Sequence, residues 1–244
     1  IRNFKDRETE ANQLRELLGN RTAKLLAIIG PGGVGKTWLM SKICREIEQG
    51  TLRLSPRETP FGADGMVIVS CKGTDRPAVE RLFHDFGRVL GSPAEEELKE
   101  AIQDPSRSLD EKTRLLLGFL CEGCYLLVLD NFEDVLDPEY NITDPDLSKF
   151  VEICLSQAHA LQLLITSRLP VKVSPGGMKA VKNVPLDTGL PIHEGVQLLR
   201  ELDNDEDSLG LRDAPEELLA EVVSRTFGLP RALEAIVGIL RSDP

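Results

Sequence analysis

The sequence predicts an α/β fold in which a parallel sheet is flanked by helices and followed by a small C-terminal helical subdomain. Three observations carry the prediction. Apolar-rich runs at residues 25–29, 66–70, 125–129 and 161–166 read as strands, the first of them continuous as in a strand buried on both faces. Amphipathic stretches of helical period lie between them, an alternation that builds a parallel sheet through right-handed crossovers. After about residue 184 the strand signal ends and three amphipathic helices follow, so residues 1–183 are expected to form the α/β domain and 184–244 the helical subdomain.

Taken in order, residues 8–18 place Ala11, Leu14, Leu17 and Leu18 at helical spacing, and Gly19-Asn20 supplies a stop. The first strand, 25–29, runs through a glycine-rich turn into a helix over 36–49 that Gly50 ends. Residues 51–65, with two prolines and two glycines, read as a connection to the second strand at 66–70. A helical stretch follows in three pieces, 77–90, 93–103 and 109–120, with Ser92 as a predicted N-cap and Ser108 with Glu111 as a capping box. The third strand, 125–129, ends in Asp130; a helix over 147–157 leads to the fourth, 161–166; a weaker fifth spans 181–186. The closing segments "HEGVQLLREL", "APEELLAEVVSRTF" and "PRALEAIVGILRS" are the three subdomain helices, expected to dock on the sheet. The acidic run at 203–208 lacks the ligand spacing and central glycine of a calcium loop and reads as solvated.

Composition narrows the function. A net charge of −11 over 244 residues argues against an unpatterned electrostatic grip on nucleic acid or anionic lipid. No apolar run reaches the roughly 18 residues of a membrane span, and the first ten residues lack a signal peptide's apolar centre. A cytoplasmic address is expected. The chain starts with Ile1 rather than Met, which suggests a piece of something longer. Five cysteines, an odd set, speak against a secreted disulfide framework. Cys121 and Cys124 form a lone C-x-x-C pair that closes a helix, unlike a zinc ribbon or a redox motif, and are expected to be buried thiols.

The chemistry concentrates at the strand ends. Gly30-Pro-Gly-Gly-Val-Gly35-Lys36-Thr37 matches the G-x-x-x-x-G-K-[ST] P-loop between a buried strand and a helix, which is the context its mechanism requires. The backbone of Gly32, Gly33, Val34 and Gly35, with Lys36, Thr37 and the adjoining Trp38, is expected to cradle nucleotide phosphates, with Lys36 neutralising them. Thr37 and Asp130 are the expected Mg²⁺ ligands, Asp130 acting through water as the Walker B acid. Arg168, at the end of the fourth strand behind Thr166 and Ser167, is placed to sense a γ-phosphate at the carboxyl edge of the sheet. An added strand carrying such a residue, and the lack of an Asn-Lys-x-Asp guanine reader, argue against a GTPase.

With these elements in this order, the chain resembles the STAND class of P-loop ATPases, which includes the NB-ARC and NACHT regulators. "FKDRETE" at 4–10 looks like that family's N-terminal hydrophobic-x-Gly-Arg-Glu element and "GLPRAL" at 228–233 like its Gly-x-Pro motif. The resemblance implies that Arg7 and Pro230 lie around the adenine and sugar, with Phe4 and Leu229 as apolar walls. It implies an ATP/ADP switch, ADP-bound at rest, that is part of a longer signalling chain and self-associates on activation. Two residues depart from the pattern. Asp6 stands where glycine is common, and Asn131 follows Asp130 where many relatives have a second acid, so hydrolysis is expected to be slow, with Glu133 as the substitute base. The rival reading is an AAA-like motor or a small-molecule kinase with rapid turnover.

Overall fold

In the computed structural model, residues 7–21, 23–52, 62–73, 78–174, 176–203 and 209–242 are described. Five parallel strands, β1 (Leu25–Ile29), β2 (Gly65–Ser70), β3 (Tyr125–Asp130), β4 (Leu161–Ser167) and β5 (Val181–Pro185), form one sheet. Its order is β2-β3-β4-β1-β5. The fourth strand thus inserts between the first and third, with Ile28 opposite Thr166 and Val128 opposite Leu164. Every residue of β4 is buried, the expected result for a central strand covered on both faces.

Alternation along the strands feeds two cores. Leu127, Leu129, Leu163 and Ile165 point to one side, where they meet α3 (Val79–Leu90), α5 (Leu109–Phe119) and α6 (Pro145–Ser156); Phe83 and Phe150 stack edge to face there. A further helix, α4 (Ala94–Gln103), joins α3 to α5 and adds Leu98 to this core. Leu126, Val128 and Leu164 point the other way, onto α1 (Glu8–Asn20) and α2 (Lys36–Glu48). The helices α7 (Ile192–Leu202), α8 (Glu216–Arg225) and α9 (Pro230–Ser242) build a third, smaller core from residues such as Leu199, Val223 and Leu233. Two glycines let the chain cross itself where this part begins. A Cβ on Gly189 would lie 1.9 Å from the Phe227 carbonyl oxygen, and one on Gly228 (φ 63°) 2.2 Å from that of Leu190. The Leu190 amide donates to the Gly228 carbonyl at 2.7 Å across the same crossing.

Several expectations change in detail. Helix α3 starts at Val79, and residue 77 lies outside the described residues. Ser92 does not cap α4, whose first turn follows Pro93; its hydroxyl turns to Glu96. The Ser108–Glu111 capping box forms on α5. Helix α6 begins at Pro145, earlier than the apolar pattern suggested, because Asp144 accepts the Leu147 amide. Cys124 is buried but Cys121 is exposed, since it follows the end of the helix and sits in the turn before β3. Asp203, read as the start of a solvated run, is fully buried and accepts the amides of Leu209, Leu211 and Arg212. Residues 204–208 lie outside the described residues. Strand β5 continues past the expected boundary at 183/184 to Pro185, because its backbone pairs with β1 to the end of that strand.

The helix α1, which brings the N-terminal arginine to the sheet edge, is tied to α2 by charge. Glu8 accepts from Lys42 at 2.5 Å and from Arg15 at 3.0 Å, and Arg15 also reaches Glu46 at 2.7 Å. The Lys42 hydrogen bond chiefly holds the Glu8 carboxyl below its ordinary value of 4.5, with burial opposing and Arg15 adding to it. A depressed folded-state pKa stabilises the fold above about pH 4.5 and ceases to do so as the pH falls through it. Glu8→Gln should therefore lower stability at pH 7 by less than about 1 kcal/mol, since the pair is half exposed and screened. In urea unfolding the difference from wild type should shrink as the pH is lowered from 7 through the carboxylate range; a difference that stays constant across that range would contradict the assignment.

Candidate functional site

Strand β1 delivers the glycine turn to the carboxyl edge of the sheet. There the Gly30 amide donates to Ser167 of β4 at 3.2 Å, and a Cβ on Gly30 would stand 2.2 Å from the Leu186 carbonyl oxygen. Gly33 (φ 79°) and Gly35 (φ 106°) take left-handed conformations that glycine alone adopts freely. Two carbonyls of the turn are held from outside: Gly33 accepts the Arg231 amide at 3.4 Å and Val34 accepts Arg7 Nη2 at 3.3 Å. In a trans peptide the N–H points opposite to the C=O, so these contacts direct the amides of Val34 and Gly35 the other way. The Val34 side chain is buried in the core beneath.

Lys36 opens α2 and is largely buried; its Nζ donates to the carbonyls of Gly30 at 2.8 Å and Pro31 at 3.0 Å. Burial lowers its pKa below the ordinary lysine range, and the Glu133 carboxylate opposes that shift. This is a desolvated cation whose hydrogen-bond partners are neutral, an arrangement that favours the approach of an anion.

Asp130 ends β3 beside it. Its Oδ1 accepts from Thr37 Oγ1 at 2.9 Å and from Thr166 Oγ1, and the Thr166 oxygen accepts the Asn131 amide at 3.0 Å. Thr166, fully buried, therefore fixes the carboxylate and the start of the following turn together. Asn131 has φ 58°, a left-handed conformation that asparagine tolerates well, and leads into the 3₁₀ turn Phe132–Val135. In that turn Glu133 pairs with Arg168 Nε at 3.0 Å. Its other oxygen, Oε2, is buried without a hydrogen-bond partner among the described residues. The Arg168 guanidinium lies 3.3–3.5 Å from where a Cβ of Gly32 would be.

The third wall comes from the helical part. Pro230 Cγ is 3.9 Å from the Cβ position of Gly35, and the Arg231 stem lies 3.1–3.9 Å from that of Gly33. Together the three walls enclose a cleft of about 220 Å³. Its lining includes Gly32, Gly33 and Gly35 to Trp38 on one side, Asn131, Glu133 and Arg168 on the second, and Leu198, Pro230, Arg231 and Glu234 on the third.

Most of the expected residues thus meet in one place. Arg7 does not line the cleft; its guanidinium bridges the carbonyls of Val34 and Thr188, with Glu10 at 3.0 Å, and so braces the loop against the segment leading to α7. Leu229 packs on the core under α1 and α2. Phe4 lies outside the described residues. Sequence reasoning passed over Leu198, Arg231 and Glu234. Arg231 adjoins Pro230 and Glu234 lies one turn further on, a spacing that could have revealed both, whereas nothing local marks Leu198.

Chemically, the cleft joins a helix N-terminus, inward amides and cations to two converging oxygens, Thr37 Oγ1 and Asp130 Oδ1. Those hard donors fit Mg²⁺, which takes few protein ligands and completes its shell with water and phosphate. No group of three His, Cys, Asp or Glu side chains suited to a metal occurs among the described residues.

Comparison with known proteins agrees with this arrangement. Residues 7–200 match the family model of the NB-ARC domain. Among curated proteins, the chain is 26% identical to an uncharacterized WD repeat-containing protein of Nostoc sp. strain PCC 7120 over 98% of its own length and 18% of that protein's. Among solved structures it is similar to a Signal Transduction ATPase with Numerous Domains (STAND) protein with a tetratricopeptide repeat sensor from Pyrococcus horikoshii. The TM-score is 0.60 at 19% identity, covering 97% of this chain and 30% of that one. It is also similar to a Walker-type ATPase of Pyrococcus abyssi, with TM-score 0.58 and 17% identity, covering 95% and 66% of the two chains. The chain therefore spans only part of the proteins it matches.

Thr166→Val keeps the shape but removes one donor from Asp130 and the acceptor of the Asn131 amide. It should destabilise the fold by about 1–3 kcal/mol in urea unfolding, the cost of leaving buried polar groups unpaired. A loss under about 0.5 kcal/mol would mean that Thr166 is not the bridge described.

Proposed function

Because the chain belongs to the NB-ARC domain family, we propose that it acts as an ATP/ADP-operated switch. As a nucleotide-binding module of the STAND class of P-loop ATPases, it has one feature that carries this reading. Its cleft is walled by the glycine loop on one side and by the start of α9 on the other. A nucleotide seated there touches both the sheet and the helical part, and so its occupancy bears on how the two are joined.

In this reading the amides of Gly32 to Thr37 and the Lys36 ammonium hold the phosphates, Thr37 and Asp130 hold Mg²⁺, and Pro230 flanks the base, while Leu229 supports it from the core behind. Mg²⁺, when bound, would neutralise phosphate charge. ADP favours the closed resting form, and exchange for ATP biases reorientation and self-association within a longer, cytoplasmic chain. The helical subdomain starts after β5 rather than at residue 184. No helix among the described residues is long and apolar enough to cross a membrane.

A ligand shifts a conformational equilibrium only through differential affinity, so something must distinguish ATP from ADP. Lys36 and Arg168 supply the distinction. Lys36 is engaged with loop carbonyls and Arg168 with Glu133, and a γ-phosphate competes for both cations. Hydrolysis that resets the switch is slow for two reasons: the Asn131 amide cannot take a proton from water, and Glu133 is engaged by Arg168.

Denaturing the purified protein should release ADP, and Lys36→Ala should be isolated without it. A wild-type protein that carries no nucleotide and turns ATP over rapidly would overturn the switch. Asn131→Asp, which suits the same left-handed backbone, should raise ATP turnover by about a hundredfold, the usual scale of a positioned general base. Unchanged turnover would show that Asn131 is not what limits hydrolysis.

A further inference from the structure

The cleft holds three cations, and they differ in what they already do. Lys36 donates to the carbonyls of Gly30 and Pro31, and Arg168 is paired with Glu133. The third, Arg231, is exposed, and its side chain has no hydrogen bond or ion pair among the described residues. Its position is nonetheless fixed. The Arg231 amide donates to Gly33, its Cβ, Cγ and Cδ lie 3.1–3.9 Å from the Cβ position of that glycine, and Pro230 before it rests over Gly35. Arg168 and Arg231 therefore stand over consecutive residues of the loop, Gly32 and Gly33, from opposite walls. Glu234, one turn further along α9, lines the same cleft, but no ion pair joins it to Arg231.

We infer that Arg231 is a phosphate-binding residue contributed by the helical subdomain, which grips the polyphosphate of a nucleoside di- or triphosphate across the loop from Arg168. The inference rests on the nucleotide reading above and assigns that reading a contact it did not include. Of the three cations, Arg231 alone has none of its side-chain donors engaged among the described residues, whereas Lys36 and Arg168 are each partly committed. Because it stands on α9, the bond it makes is one that separating the helical part from the sheet must break. Arginine suits the task, since its planar fork can present two parallel donors to phosphate oxygens where a point charge cannot.

The test is the affinity of wild type, Arg231→Gln and Arg231→Lys for Mg²⁺ with a non-hydrolysable imido analogue of ATP, measured at about 50 and 300 mM salt, where screening differs strongly. Melting without nucleotide verifies that each variant folds. Gln keeps the stem against Gly33 and removes the charge, so it should weaken binding roughly tenfold and flatten the salt dependence. Lys, which returns the charge without the fork, should restore part of the loss and the steeper salt dependence. Binding by Arg231→Gln equal to wild type with the same salt dependence would overturn the inference while leaving the nucleotide reading in place. A loss that Lys does not rescue, with salt dependence unchanged, would overturn it too, because Arg231 would then act through packing alone. Absence of saturable binding by wild type would remove the nucleotide reading itself, and the inference with it.

Discussion

The sheet edge depends on how two peptide planes are held. Fixing the carbonyls of Gly33 and Val34 from outside is what turns the amides of the next residues toward the cleft, and the two anchors come from opposite ends of the chain. Arg7 precedes α1, and the Arg231 amide belongs to the first turn of α9. A loop of glycines has too much conformational freedom to hold this shape unaided. Both termini of the described fold converge on it, and the order of the cleft is a tertiary property before it is a local one.

Strand order does the rest. Had the fourth strand added to an edge of the sheet, Thr166 could not have reached Asp130, nor could the Gly30 amide have reached Ser167. Inserted between β1 and β3, β4 presents Thr166, Ser167 and Arg168 in sequence to the carboxylate, the loop and the cleft. Three consecutive residues thereby serve three separate contacts, the first two buried and the last at the surface. The apolar density that makes β4 a central strand is the same feature that allows its polar end to sit so deep.

Much of this was legible in the sequence because the signals were local and redundant. The P-loop spacing, a lysine, a threonine and a preceding apolar run all agreed, and the abrupt stop of the run at Asp130 marked the acid. The strand order was not legible, since apolar runs reveal burial and not neighbours. Arg231 was passed over because an arginine in the first turn of an amphipathic helix looks solvated until the loop it faces is known. Asp203 was misread for the converse reason: in a run of acids nothing local shows that its partners are amides six to nine residues on. Cys121 and Cys124 separated because a helix end and a strand start put two nearby thiols in different surroundings, which a spacing rule cannot resolve.

The crossing at Gly189 and Gly228 bears on mechanics. The chains meet there backbone to backbone, with no side chain between them and one amide spanning the contact. An articulation built this way has no interlocking teeth to disengage or re-seat, so by itself it would permit a continuum of angles rather than a pair of preferred ones. Any click between discrete postures must then originate elsewhere along the seam, in the bonds that span the cleft.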